Sequence, residues 1–170
     1  MAIDDILIDG FERVRSVVHS TLRRATEDQL GYRADPGANT VAWLVWHLTR
    51  VQDDHVADAF GHEQVWTSGG WVERFQLPFN AAETGYGQSA DEAGSVRASA
   101  ELLAGYHDAV HARTVECLRG IEEVALERIV DRSYDPPVTL AVRLVSVLSD
   151  DLQHAGQAAY VLGLSRRAGA

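Results

Sequence analysis

The chain has 170 residues, 46% of them hydrophobic, which is enough for one sizeable core and too little for two comfortable domains, so a single domain over 1–170 is expected. Its formal charge of -10 argues against a nucleic-acid partner, because binding a phosphate backbone needs a basic surface. All 15 basic residues are arginine, which excludes lysine-nucleophile and Schiff-base chemistry, and the lone Cys117 excludes an internal disulfide or a thiolate zinc cluster.

The opening MAIDDILIDGFERV carries acids where a signal peptide would be basic, and no apolar run reaches the ~18 residues needed to span a bilayer. A soluble, cytoplasmic protein with no membrane partner is expected. Apolar residues at spacings of three and four predict a first helix over Ile3–Ala25, with Asp4 and Asp5 in its first turn. TEDQLGYRADPGAN then reads as a connection holding a short helical turn at TEDQL. A second helix runs from about Thr40 to Phe60 and stops at Gly61. Its VAWLVWHL half is apolar nearly all round, the mark of a central helix, and His47 interrupts it.

Gly61 to Gln88 forms a long segment in which Trp66, Trp71, Phe75, Phe79 and Tyr86 are spaced among glycines. Two readings fit it: a loop that borders a pocket with Trp66, Trp71 and Arg74, or one that only covers core. Ser89 and Glu92 make a capping-box pattern opening a short helix with a kink near Ser99. The third long helix covers Ala100–Leu118, with Leu102, Leu103, Tyr106, Val110, Arg113 and Cys117 on its inner stripe. That places His107 and His111 on its flank toward solvent, despite their i,i+4 spacing, and makes Cys117 a small core residue. His19, His55 and His62 read as surface groups. Ile121 to Pro137 reads as an irregular link with a few extended residues, and the fourth helix runs from a Thr139 cap to a Gly163 stop.

At ~100° per residue the fourth helix stacks Arg143, Val147, Asp150, His154, Ala158 and Val161 on one stripe. An acid four residues before a histidine points the same way as it, which suits either an internal hydrogen-bonded pair or two metal ligands. With His47 the set becomes a three-ligand N2O group on two facing helices of an all-α, antiparallel four-helix bundle. Three protein ligands leave a coordination position open, the catalytic pattern for zinc. Arg50, one turn after His47, and Arg143, on the His154 stripe, suit a substrate anion, a pairing with Asp54 or another structural salt bridge.

WHLTRVQDDH in the second helix and DDLQHAGQAAYVLGL in the fourth resemble the motifs of the DinB/YfiT-like superfamily of four-helix metalloproteins. GGWVERFQLPF and TGYGQS resemble its actinobacterial members, among them the mycothiol S-transferases. The resemblance implies metal ligands at His47, Asp150 and His154, where many members carry His and some isomerases Glu in place of Asp150. It implies a homodimer that binds a divalent ion such as Zn²⁺ and activates a low-molecular-weight thiol, mycothiol, for attack on an electrophile. The competing readings are hydrolysis by an activated water, which needs no thiol, and a non-catalytic metal-binding stress-response module, which turns over neither kind of substrate.

Overall fold

A computed structural model describes residues 2–169. Side chains that the sequence places before apolar runs open three of the four long helices. Helix α1, Ile3–Leu22, begins where the Ala2 amide donates to Asp5 Oδ2 at 3.1 Å. The short α2, Glu27–Leu30, follows a capping box of Thr26 and Gln29. Thr40 accepts from the Trp43 amide at 3.0 Å to open α3, Val41–Phe60, which ends where Gly61 adopts a left-handed φ of 71°. The crossover to the next long helix holds three short helices, α4 Val65–Ser68, α5 Trp71–Phe75 and α6 Ala90–Ser95. Ser99 caps α7, Ala100–Leu118, so the expected kink is a break between two helices.

After α8, Glu123–Leu126, strands β1, Ile129–Asp131, and β2, Val138–Thr139, pair antiparallel. Thr139 then caps α9, Leu140–Ala168. The fourth helix therefore passes through Gly163 and stops only at Gly169, whose φ is 83°. A mid-helix glycine costs about 1 kcal/mol, too little to end a helix that is packed along its length. Among the described residues no helix is long and apolar enough to cross a membrane.

The four long helices close a ring in which α1 packs on α7 and α9, and α3 packs on the same two. Side-chain contacts fix their directions. Asp4 accepts from the Gly120 amide and Arg15 meets Asp108, so α1 and α7 run antiparallel. His55 meets Arg143 while His47 lies against His154, so α3 and α9 are antiparallel too. Thr49 meets His107 and Gln52 meets Thr114, which makes α3 and α7 parallel neighbours. The expected antiparallel arrangement holds for these two pairs; α3 and α7 run parallel, and α1 and α9 are therefore parallel as well, which the long crossover from Gly61 to Ser99 allows.

The structure corrects the orientation of α7. His107 is fully buried and His111 is 6% exposed, whereas Arg113 is exposed and Cys117 half-buried. Because α7 is pressed between α1 and α3, its buried arc widens to take in both histidines. Thr49 Oγ1 donates to the Val45 carbonyl and so accepts from His107 Nδ1–H at 3.2 Å, while His111 Nε2 meets Glu12 at 3.0 Å. Burial, reinforced by the charge of His111, pushes His107 down to about 3 from 6.5.

Since the folded chain refuses a proton that the unfolded one accepts, stability from a neutral His107 is complete above the unfolded value of 6.5 and erodes as pH falls below it. The slope of stability against pH should therefore fall by as much as about 1.4 kcal/mol per unit between neutrality and pH ~5 in His107→Gln, which keeps a donor for Thr49 but does not titrate. Urea denaturation at several pH values measures it, and an unchanged slope would contradict a neutral buried His107.

Candidate metal centre

The antiparallel pairing of α3 with α9 sets His47 opposite Asp150 and His154, which share one side of α9 across a single turn. One ligand atom from each of the three lies within 4.8 Å of the others. The two imidazoles stand edge to face, 4.9 Å between centroids, and Trp43 stacks behind His47 at 4.4 Å. His47 Nδ1–H donates to the Thr84 carbonyl at 2.6 Å, and His154 Nδ1–H donates to Gln157 Oε1 at 2.8 Å. These bonds fix the tautomers and leave Nε2 of each ring as the free donor. Asp150 Oδ1 stands 3.6 Å from His154 Nε2, while its Oδ2 is buried with no hydrogen-bond partner among the described residues. Two neutral nitrogens and a carboxylate with an orphaned oxygen fit a divalent ion.

The local charges separate two adjacent carboxyls. The contact with His154 holds Asp150 below the ordinary carboxylate range, and the carboxylate in turn raises His154. Burial lowers His47. Asp151, fully buried with both oxygens unpartnered among the described residues, is driven well upward by burial and then by the charge of Asp150. Of the two, Asp150 is the more readily ionised and burial disfavours charge on Asp151. It is Asp151, between Val147 and Ala155 on the inner seam, that interrupts the apolar face of α9; Asp150 and His154 lie at its half-buried edge.

That edge opens on a cleft of about 450 Å³ lined by His47, Asp150, Val51, Thr84, Tyr86 and Tyr134. Of these, Tyr86 and Tyr134 are 94% and 63% exposed. Sequence reasoning missed Thr84 and Tyr134; the glycines flanking Tyr86 were the available signal for the first. An adjoining cavity of about 470 Å³ shares Asp54, His55 and Tyr134 with this cleft and includes Arg143. His55, expected on the surface, thus lines both spaces. Arg143 is held there by Asp131 at 2.7 Å and by His55 Nδ1 at 3.3 Å.

The other expected substrate-binding residues lie elsewhere. Trp66 is buried against Tyr106, 5.1 Å between centroids, and its indole donates to the Ala81 carbonyl at 3.0 Å. Trp71 packs on the same tyrosine at 5.5 Å, with the Arg74 guanidinium over its outer face at 4.6 Å. These aromatics close the core beneath the crossover instead of bordering the cleft. Arg50 has no exposed surface: Nη1 donates to Gln64 at 2.8 Å, Nε donates to the Glu83 carbonyl at 3.1 Å, and Asp53 stands 3.8 Å away. Its carboxylate neighbour is Asp53, not Asp54, and a fully enclosed guanidinium has no face left for a substrate anion.

The crossover reaches the centre through Gly85, at φ 98°, where an added Cβ would lie 2.7 Å from His47 Nδ1 and 3.1 Å from Trp43 and Trp46. Gly85→Ala should displace the His47 ring and weaken divalent-metal affinity about 10- to 100-fold, the usual cost of disturbing a ligand's support. Gly87→Ala, equally strained at φ 75° but with nothing within 4 Å of its Cβ, separates strain from displacement. Equal metal affinities in the two variants, measured by titration calorimetry, would remove Gly85 from the support of His47.

The sequence profile of the DinB superfamily matches residues 10–158. No match is found among curated proteins. Among solved structures, a conserved protein of Enterococcus faecalis is similar at 30% identity, with a TM-score of 0.88 over 95% of this chain and 96% of that one. A profile that reaches all four long helices and includes both halves of the centre identifies the chain as a member of the DinB superfamily.

Proposed function

We propose that this chain is a divalent-metal-dependent S-transferase that joins a low-molecular-weight thiol, mycothiol, to an electrophile. The observation that carries the reading is the convergence of His47 Nε2, His154 Nε2 and an Asp150 oxygen beside an open cleft. A divalent ion such as Zn²⁺ held by His47, Asp150 and His154 would supply Lewis acidity and lower the pKa of a bound thiol. The remaining work falls to the chain. Thr84 and Gln157 accept from Nδ1–H of the two imidazoles and leave each Nε2 for the ion, Asp150 contributes negative charge, and burial disfavours a second charge on Asp151. Val51 and Val147 give the cleft an apolar wall, and Tyr86 and Tyr134 offer exposed rings for the rest of a substrate.

The nucleophile's source supports an external thiol. Cys117 lies on α7 outside the cleft, and burial raises its pKa, the reverse of an activated thiol. Mycothiol itself rests on the resemblance of GGWVERFQLPF and TGYGQS to the mycothiol-dependent members.

Protein purified without an affinity tag should carry one divalent ion per chain, lost in His154→Ala and kept in His62→Ala, a change at an exposed histidine. The conjugation rate should be nearly flat in pH above neutrality, because a metal-bound thiol titrates well below the ~8.5 of a free one. Chelator should abolish the reaction and Zn²⁺ restore it. Metal retained in His154→Ala would displace the site; turnover of an ester or amide without thiol, with no conjugation of any thiol, would replace the transferase by a hydrolase.

A further inference from the structure

The cleft beside the three donors is continuous with a second space. Asp54, His55 and Tyr134 line both it and the adjoining cavity of about 470 Å³, so the two meet at this group. A reaction that joins two molecules needs room for both.

The surroundings of His55 fix its tautomer. Arg143 Nη2 donates to Asp131 Oδ2 at 2.7 Å, and that bond turns Nη1 toward His55 Nδ1 at 3.3 Å. A guanidinium only donates, so Nδ1 accepts and the ring proton sits on Nε2. Nε2 has no partner among the described residues, and the side chain, 36% exposed, is not shut into the core. Burial and then the charge of Arg143 lower the pKa of the ring from 6.5, against the opposing charges of Asp54, Asp58 and Asp150. The neutral ring therefore prevails above neutrality. With Nδ1 engaged and Nε2 protonated, it can donate a hydrogen bond but cannot take up a proton, so it is suited to polarise an oxygen and not to act as a base.

Its position narrows what it can touch. His47 and His55 lie eight residues apart on α3, about 12 Å along the axis, with Val51 between them on the cleft wall. A thiol held at the His47 end attacks a carbon that His55 does not reach. An oxygen on that same carbon, as in an aldehyde, stays out of range as well. The oxygen of an α,β-unsaturated carbonyl lies three bonds beyond the attacked carbon, toward His55, and it is the atom on which charge develops.

Resting on the S-transferase reading, we propose that the electrophile is an α,β-unsaturated carbonyl compound seated across the two spaces, its carbonyl oxygen accepting from His55 Nε2–H. The thiolate sulfur bonds to the β-carbon, the alkene π pair becomes the second bond between the α-carbon and the carbonyl carbon, and the carbonyl π pair moves to oxygen. The enolate oxygen so formed takes a stronger hydrogen bond from His55 than the ground-state carbonyl did, and the rate gain lies in that difference. The α-carbon then takes a proton from water, which balances the one released by the thiol, and His55 ends as it began. Arg143 and Asp131 act only through His55, by setting which of its nitrogens carries the proton.

Long-range proton–nitrogen correlation spectra of the metal-free chain at pH ~8 should show His55 as the neutral Nε2–H tautomer, identified by the signals lost in His55→Gln. An Nδ1–H tautomer or a protonated ring would overturn the proposal. In the metallated protein with mycothiol, methyl vinyl ketone develops charge on oxygen, whereas benzyl chloride expels chloride from the attacked carbon. His55→Ala should lower kcat for methyl vinyl ketone about 100-fold relative to kcat for benzyl chloride, the usual loss for one such donor, with metal and helical content as in the parent. His55→Gln, which keeps an amide N–H, should recover part of that loss. An equal fall for both electrophiles would reduce His55 to a support of the fold and overturn this assignment while leaving the S-transferase. A parent chain that conjugates neither electrophile would remove the S-transferase and this assignment together.

Discussion

The contact on which the rest depends is the antiparallel packing of α3 against α9. His47 belongs to one helix, and Asp150 and His154 to the other, so the three donors exist as a group only while these helices keep their register. A slip of one turn, about 5.4 Å, would exceed the 4.8 Å within which the donor atoms now lie. Burial of Leu44, Leu48, Val147, Ala155 and Ala158 between and around the two helices, non-directional in itself, holds that register through shape. Hydrogen bonds from the rings to the Thr84 carbonyl and Gln157 Oε1 then orient them within it.

A second, polar assembly ties the crossover to α3. Asp53 accepts from the Val65 and Trp66 amides at 2.8 and 2.7 Å and from Tyr106 at 2.8 Å, while Arg50 holds Gln64 and the Glu83 carbonyl. Burial raises Asp53, and these donors together with Arg50 oppose that rise. The pair is costly to bury and repays the cost only because nearly every lone pair and proton is matched. It delivers Thr84 and Gly85 to His47, so an arginine outside the cleft shapes the centre by holding the segment that touches it.

Much of this was legible in the sequence, and the failures have physical causes. The limits of α3 and α7 could be read because Thr40, Gly61 and Ser99 act locally, through the first or last turn. The donor set could be read because i,i+4 spacing fixes relative direction in any helix. Trp66, Trp71 and Arg74 went astray since aromatics among glycines look alike whether they fill a core or line a pocket. Arg50 shares a stripe with His47, but its partners come from the crossover, which periodicity does not place. His107 and His111 were turned outward by their polarity, when contact with both α1 and α3 left α7 little outward surface there. Asp150 and Asp151 are chemically identical in the sequence; only the burial of one separates them.

The tie between Arg50, Asp53 and the crossover has a consequence for traffic. A segment anchored by a buried ion pair, two amide bonds and a sandwich of Trp66, Tyr106 and Phe75 is ill suited to swing aside as a lid. Entry to the cleft then depends on the tip alone, where Tyr86 stands between Gly85 and Gly87, and on Tyr134 across from it. The centre then lies beside a cleft whose walls are held in place, and Tyr86 and Tyr134, the exposed rings among its lining, are the parts left free to adjust to what enters.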